Sequence, residues 1–256
     1  MRMDKLLLCA AACIAMAGCG GPASAGTPQP QRRVAVSGAF EGTYATNGGS
    51  AQPALVLIPS SGDGVAVDNS DYWLVPAPSA DGSISGTMGF VEPPGQSTVG
   101  LSEPTFTITG KPQGNPAASI SGTVADSLGG SASFSLTAFS PTQIYAGSYV
   151  GLAMGMPYEP AFTIDAYGAI SETGCTTCAP AGQIQQIGAS NISTLTLSGS
   201  YGNSTCSTCQ STVHGYAFMS SADLLKVGSA FGFPGPYLYL VANNSTNGII
   251  FELIPQ

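Results

Sequence analysis

Alternation at a period of two residues constrains this chain more than any other feature. It runs through "TFTITG" (Thr105–Gly110), "SASFSLTAF" (Ser131–Phe139), "TLTLSG" (Thr194–Gly199), "YLYLVA" (Tyr237–Ala242) and "IIFELI" (Ile249–Ile254). Residues two apart share one face of a strand, so such runs can bury one face and wet the other. Thr, Val, Tyr, Phe and Ile crowd these runs, and Gly, Asn, Asp and Pro punctuate them, as expected of short strands joined by turns. "ADG" at Ala80–Gly82 and "STNG" at Ser245–Gly248 read as hairpin turns. One stretch, "SADLLKVG" (Ser221–Gly228), reads as a helix, with Ser221 as its cap, Gly228 as its stop, and Leu224, Leu225 and Val227 facing inward.

Four segments recur in the same order in both halves of the chain. "FEGTY" (Phe40–Tyr44) matches "YAGSY" (Tyr145–Tyr149), and "TFTITG" matches "TLTLSG". "ADGSISG" (Ala80–Gly86) resembles "AYGAISE" (Ala166–Glu172), and "SASFSLTAF" corresponds loosely to "PYLYLVANN". The order predicts a duplication, with each half a meander of about 100 residues. The expected fold is all-β: two tandem antiparallel meander barrels, or sandwiches, over 37–141 and 142–256, with one short helix near 221–228.

An aromatic-Gly-Ser/Thr-Tyr first strand followed by a meander resembles the small barrels of lipocalin-like proteins. It also resembles the barrel domains of the transferrin-binding protein B family of Gram-negative surface lipoproteins. The likeness implies a style of fold and no residue roles, because no motif of either family is met over any length. Closure removes exposed strand edges, which favours barrels over open sheets. A membrane-spanning barrel is disfavoured by short, Pro-broken strands.

The start of the chain carries an address. In "MRMDKLLLCAAACIAMAGCGG", Arg2 and Lys5 precede an uncharged run from Leu6 to Met16. This reads as a signal peptide over 1–18, too short for a transmembrane helix, which needs about 20 apolar residues. Met16-Ala17-Gly18-Cys19 resembles the lipobox of bacterial lipoproteins, with Met in place of the preferred Leu. The resemblance implies cleavage before Cys19, acylation of that cysteine and, with Gly20 next, an outer-membrane destination. The competing reading is plain secretion after "ASAG", at a small-x-small site ending at Ala25. Residues 19–36, rich in Gly, Pro and Gln, read as a flexible tether.

Composition narrows the function classes. Only 8% of residues are charged, yet 43% are hydrophobic, which predicts a packed core under a polar but weakly charged surface. A net charge of −8 and a pI of about 4.2 argue against a nucleic-acid partner. Beyond Arg33 the basic residues are Lys111 and Lys226.

Catalytic constellations are hard to find. His214 is the single histidine, set in a strand-like run with no Gly-x-Ser-x-Gly elbow elsewhere, so it reads as structural or surface. The glutamates are scattered. Glu252 stands out inside "IIFELI", where alternation puts it either towards solvent or inside a barrel. "DGVAVDNSD" (Asp63–Asp71) gathers carboxylates without EF-hand spacing and reads as a turn with a solvated acidic face. No metal or cofactor is expected.

Cys175 and Cys178, then Cys206 and Cys209, form two Cys-x-x-Cys pairs in Thr/Ser/Gly-rich segments. Neither pair opens a helix that would lower a thiol pKa for redox work. In an exported chain they read as disulfides, ahead of a four-cysteine zinc site. Cys175–Cys209 and Cys178–Cys206 fall on one antiparallel register centred near Ile192, which ranks cross-pairing above local Cys-x-x-Cys loops. Finally, "FGFPGPYLYLV" (Phe231–Val241) sets Phe231, Phe233, Tyr237 and Tyr239 around two prolines. These rings are read either as core or as the mouth of a site for a small apolar ligand. The functional expectation is a lipid-anchored envelope protein with a non-enzymatic binding or structural role. Its partners would be the membrane, through the N-terminal lipid, and another envelope protein or a small apolar ligand. The alternative is a carbohydrate- or peptidoglycan-active enzyme.

Overall fold

The structure is a computed structural model that describes residues 35–46, 48–60, 62–69, 71–91, 105–154, 159–173, 180–186, 191–200, 210–244 and 248–256, with backbone alone at 200, 210 and 211. Two closed eight-stranded barrels follow one another along the chain. The first contains β1 (Gly38–Thr46), β2 (Gln52–Ile58), β3 (Gly64–Val67), β4 (Tyr72–Val75), β5 (Ile84–Val91), β6 (Phe106–Gln113), β7 (Ser119–Asp126) and β8 (Ser131–Phe139). The second contains β9 (Gly147–Ala153), β10 (Ala161–Ile164), β11 (Ala169–Glu172), β12 (Ala181–Gln186), β13 (Ser193–Ser200), β14 (Gln210–Ser220), β15 (Tyr237–Asn243) and β16 (Gly248–Pro255). Within each barrel every strand pairs antiparallel with its sequence neighbours. β1 closes on β8 through Phe40↔Ala138 and Tyr44↔Phe134, and β9 closes on β16 through Ala153↔Phe251. The expected meander barrels are thus present, closed rather than split into sandwiches.

Alternation sets the faces as the sequence predicts. On β6 to β8, Ile108, Ile120, Phe134 and Leu136 point inward, while Thr107, Thr109, Thr123, Ser133 and Ser135 are exposed. Gly110 and Gly122 sit opposite each other under the Phe134 ring; a Cβ at Gly122 would lie 2.8 Å from its Cζ and 1.9 Å from the Thr109 carbonyl. Glycine is therefore what lets that ring lie against the sheet.

The strands richest in apolar residues are buried on both faces. From β16, Ile249, Phe251 and Leu253 enter the second barrel, while Ile250 and Ile254 pack outward in a second core. That second core lies between the barrels: Leu55, Leu57, Val65 and Tyr72 of the first meet Phe218, Tyr239, Val241 and Ile250 of the second. Full burial of each such side chain contributes roughly 1.5–3 kcal/mol, so the two barrels, within Val34–Gln256, form one compact unit. Polar contacts fix their mutual position. The Tyr72 hydroxyl donates to Asn243 Oδ1 at 2.9 Å, and the Ser220 hydroxyl donates to Glu41 Oε2 at 3.0 Å.

Three sequence expectations need correction. The helix, α1, covers Val227–Phe231 rather than 221–228, and it follows Lys226 in a left-handed conformation (φ 66°). The N–H groups of Leu224 and Leu225, needed for an earlier helix, donate instead to the Tyr239 hydroxyl and the Glu252 carboxyl. Asp223 Oδ1, not Ser221, accepts the Gly228 N–H, at 3.0 Å. The repeat also fails in register. "FEGTY" and "YAGSY" do fall at the first strand of each barrel, but "TFTITG" is the sixth strand of its barrel and "TLTLSG" the fifth. The two remaining matches are likewise displaced along their barrels. Similar strands, rather than aligned halves, account for those likenesses.

The third correction concerns the cysteine register. β12 and β13 pair Ala181 with Ser198 and Gln186 with Ser193, a register centred between positions 189 and 190 rather than at Ile192. Inward-facing Ile184 opposite Leu195 sets that register. Cys175, Cys178, Cys206 and Cys209 lie outside the described residues, as does Cys19.

Candidate functional site

The interiors of the two barrels differ. The second is packed through its middle: Tyr149, Phe162, Ile184, Leu195, Phe251 and Leu253 are all buried in one cluster, with Phe162 and Phe251 edge to face at 5.0 Å, and a cavity of about 320 Å³ with polar lining from Asp165, Gln186, Asn191 and Ser193 opens at the end where β10 and β12 finish. The first holds a cavity of about 500 Å³. The size follows from the residues that face inward: Ala54, Ala66 and Ala132 line it, whereas Phe162, Ile170 and Leu195 face into the second barrel. Small inward side chains leave unfilled the space that an eight-stranded barrel encloses, and barrels of this size can hold one small ligand.

The cavity has two different ends. Val75, Ile84, Ile120 and Leu136 line its lower part, where β4 and β8 finish and β5 and β7 begin. Its walls stay apolar through Val56, Ile108, Phe134 and Met88. At the opposite end, where β1, β3 and β7 finish, the lining becomes aromatic and acidic, with Tyr44, Trp73, Phe106, Asp68, Asp71 and Asp126. Phe106 lies directly opposite Asp126 in the β6–β7 ladder. Residues 92–104, which join β5 to β6 at this end, lie outside the described residues.

Hydrogen bonds hold the acidic groups in place. Tyr44 donates to Asp68 Oδ2 at 2.9 Å, and the Asp71 N–H donates to Asp68 Oδ1 at 2.8 Å. Burial, followed by the Asp68 carboxylate, pushes the Tyr44 phenol well above its usual pKa, so it remains a donor. Asp126 Oδ1 accepts the N–H groups of Leu128 and Gly130, each at 2.8 Å, and so shapes the β7–β8 turn. Trp73 packs edge to face on Phe106 at 4.7 Å and tilted against Phe90 at 4.9 Å. The three rings make an aromatic collar on β4, β5 and β6. Among the described residues, no Lys, Arg or His lines the cavity.

The sequence-predicted residues lie elsewhere. Tyr237 and Tyr239 do not line a barrel mouth; both are buried on the outer face of β15, in the layer between barrels. The Tyr237 hydroxyl donates to the Phe233 carbonyl at 3.0 Å, and the Tyr239 hydroxyl to that of Ala222. Phe233 packs partly buried on the same layer, and Phe231 ends α1 at the surface, 36% exposed. Outward-facing apolar positions on β15 meet the first barrel, which is why the rings are core here.

Glu252 is neither solvent-facing nor inside a barrel. It lies on the outer face of β16, fully buried beneath residues 221–225. Burial, then the adjacent Asp223 carboxyl, raises its pKa to about 8. Burial also pushes Asp223 up, but the Glu252 carboxyl and the N–H groups of Gly228 and Ser229 outweigh it and hold Asp223 below its ordinary value. The acidic run 63–71 is not one solvated turn. β3 divides it, leaving Asp63 exposed at one end of the barrel and Asp68 buried at the other. His214 is exposed, 3.3 Å from the Thr196 hydroxyl. Among the described residues, no group of three His, Cys, Asp or Glu side chains is placed to hold a metal ion.

Sequence reasoning missed the cavity and its collar. The available signal was the small residues at inward parity in the first half, Ala54, Ala66 and Ala132, against large ones in the second. Comparison with protein-family models, with curated proteins and with solved structures finds no match to this chain. The fold and site define a class: two fused meander barrels, one hollow and one packed through its middle.

Proposed function

We propose that this chain is a lipid-anchored protein of the bacterial outer membrane whose role is binding rather than catalysis, and that the first barrel holds an apolar small molecule. The observation that carries the binding role is the 500 Å³ largely apolar cavity that runs through the first barrel, where the second barrel is packed through its middle. Such a volume lies within the roughly 300–1,000 Å³ of small-molecule sites. The second barrel then acts as a packed support that buries one side of the first.

The test is to fill the cavity. Ala66 lines it, and Ala66→Phe adds a ring to empty space, so overpacking is avoided. The neutral dye N-phenyl-1-naphthylamine should bind the wild-type protein at one site. Its affinity should fall at least tenfold, about 1.4 kcal/mol, in the variant, with the circular dichroism spectrum unchanged. Equal binding by both proteins would place the dye elsewhere and remove the basis of this reading.

The anchor rests on the Met16–Cys19 motif. Two disulfides among Cys175, Cys178, Cys206 and Cys209 are supported by topology, since the β11–β12 and β13–β14 connections that contain them leave the same end of the second barrel. Intact mass of protein extracted from membranes reads both claims. It should match a chain starting at an acylated Cys19, with two hydrogens fewer for each disulfide. A soluble chain starting at Gly26, or four free thiols, would contradict the respective claim.

A further inference from the structure

The cavity's chemistry changes along its length, and that change selects a ligand. The lower wall, built from Ile84, Ile120 and Leu136, offers only apolar contact. The mouth is lined by the aromatic rings of Tyr44, Trp73 and Phe106 together with carboxylates from Asp68, Asp71 and Asp126. No cationic side chain lines the cavity among the described residues. Asp68 is 6% exposed, so its charge acts through a medium of lower dielectric than water. An anionic head would meet repulsion there, and a neutral head would gain little from the carboxylates. An alkylated ammonium head matches both features, because a cation is attracted to aromatic faces and to carboxylates alike. Its alkyl groups also lose less hydration on entry than a bare ammonium would.

We infer that the first barrel binds a cationic amphiphile, with its apolar body in the lower cavity and an alkylated ammonium head among the rings of Tyr44, Trp73 and Phe106 beside Asp68 and Asp71. The cavity is the site, and the aromatic and acidic mouth chooses the head. This inference rests on the binding role proposed above and specifies its ligand class.

Trp73 is the single tryptophan of the chain and lies in the collar, so its fluorescence reports occupancy directly. The experiment titrates the full chain with dodecyltrimethylammonium, dodecanol and dodecanoate, each below its micelle concentration. The cation should bind roughly tenfold more tightly than the alcohol, the scale of one desolvated cation–π contact plus a nearby opposite charge, and the anion more weakly than either. The ratio of cation to alcohol affinity should shrink severalfold in Asp71→Asn, and in the wild-type protein as salt is raised. The salt series needs no variant and so does not depend on one folding. If the alcohol or the anion binds as tightly as the cation, the inference is overturned while the apolar cavity reading stands. If none of the three perturbs Trp73 and the naphthylamine dye also fails to bind, the binding role itself falls.

Discussion

Replacing Phe251 by alanine should destabilise the protein by about 3–5 kcal/mol, the range for removing a buried phenylalanine ring. Phe251 is fully buried, faces the packed middle of the second barrel, and meets Phe162 edge to face at 5.0 Å. An aromatic pair of this kind adds about 0.5–1.5 kcal/mol beyond area burial. The informative comparison is Phe134→Ala in the first barrel. Phe134 is also a core ring, but it borders the cavity, so one side of it has fewer partner atoms. Its removal should cost distinctly less, since contacts are lost on fewer sides. Chemical denaturation of both variants checks this. Equal losses would mean that the first barrel is as well filled as the second, against the cavity.

The second large effect concerns pH. Glu252 has a folded-state pKa of about 8 against an ordinary 4.5, because burial and the neighbouring Asp223 carboxyl disfavour its charge. Below pH 4.5 the group is protonated in both folded and unfolded chains, and its contribution is fully present. As pH rises from 4.5 to 8 the unfolded chain releases this proton and the folded chain keeps it, so stability is lost across that window. At 1.36 kcal/mol per unit the loss is on the order of 5 kcal/mol. Asp223 is shifted downward and works in the opposite sense, at lower pH. Glu252→Gln keeps an oxygen for the Leu225 N–H and has no proton to lose. Relative to the wild-type protein, the variant should therefore gain stability steadily from pH 5 to pH 8, as read by denaturant midpoints. Parallel curves for the two proteins would show that Glu252 does not titrate in this range.

Much of the architecture was legible in the sequence because strand alternation is a local property. The runs around Ile108, Phe134 and Leu195 announced both their structure and their inward faces. The runs "YLYLVA" and "IIFELI" read as the same one-face alternation, yet the strands they form are buried on both sides. The cover on the second side comes from Leu55, Leu57 and Tyr72, more than 150 residues away, and no local pattern reveals such a pairing. The same long-range packing decides between the two readings of Tyr237 and Tyr239, making them core rather than a barrel mouth. The helix was misplaced for a related reason, since Tyr239 and Glu252 take the backbone N–H groups that a helix over 221–228 would have used. The site was hidden because a cavity is an absence of side-chain volume, visible only once Ala54, Ala66 and Ala132 are known to face one another across a closed sheet.

The layer between the barrels also sets an order for folding. β1 through β8 can close on themselves once Phe139 is free to pair, yet Leu55, Leu57, Val65 and Tyr72 then still face water. Their cover, Val241, Ile250 and Ile254, lies about 100 residues further along the chain. Until that cover packs, the chain carries a finished, ligand-sized compartment with one adhesive flank. The sixteenth strand ends the exposure, because the same eight residues seal the second barrel from inside and the first from outside.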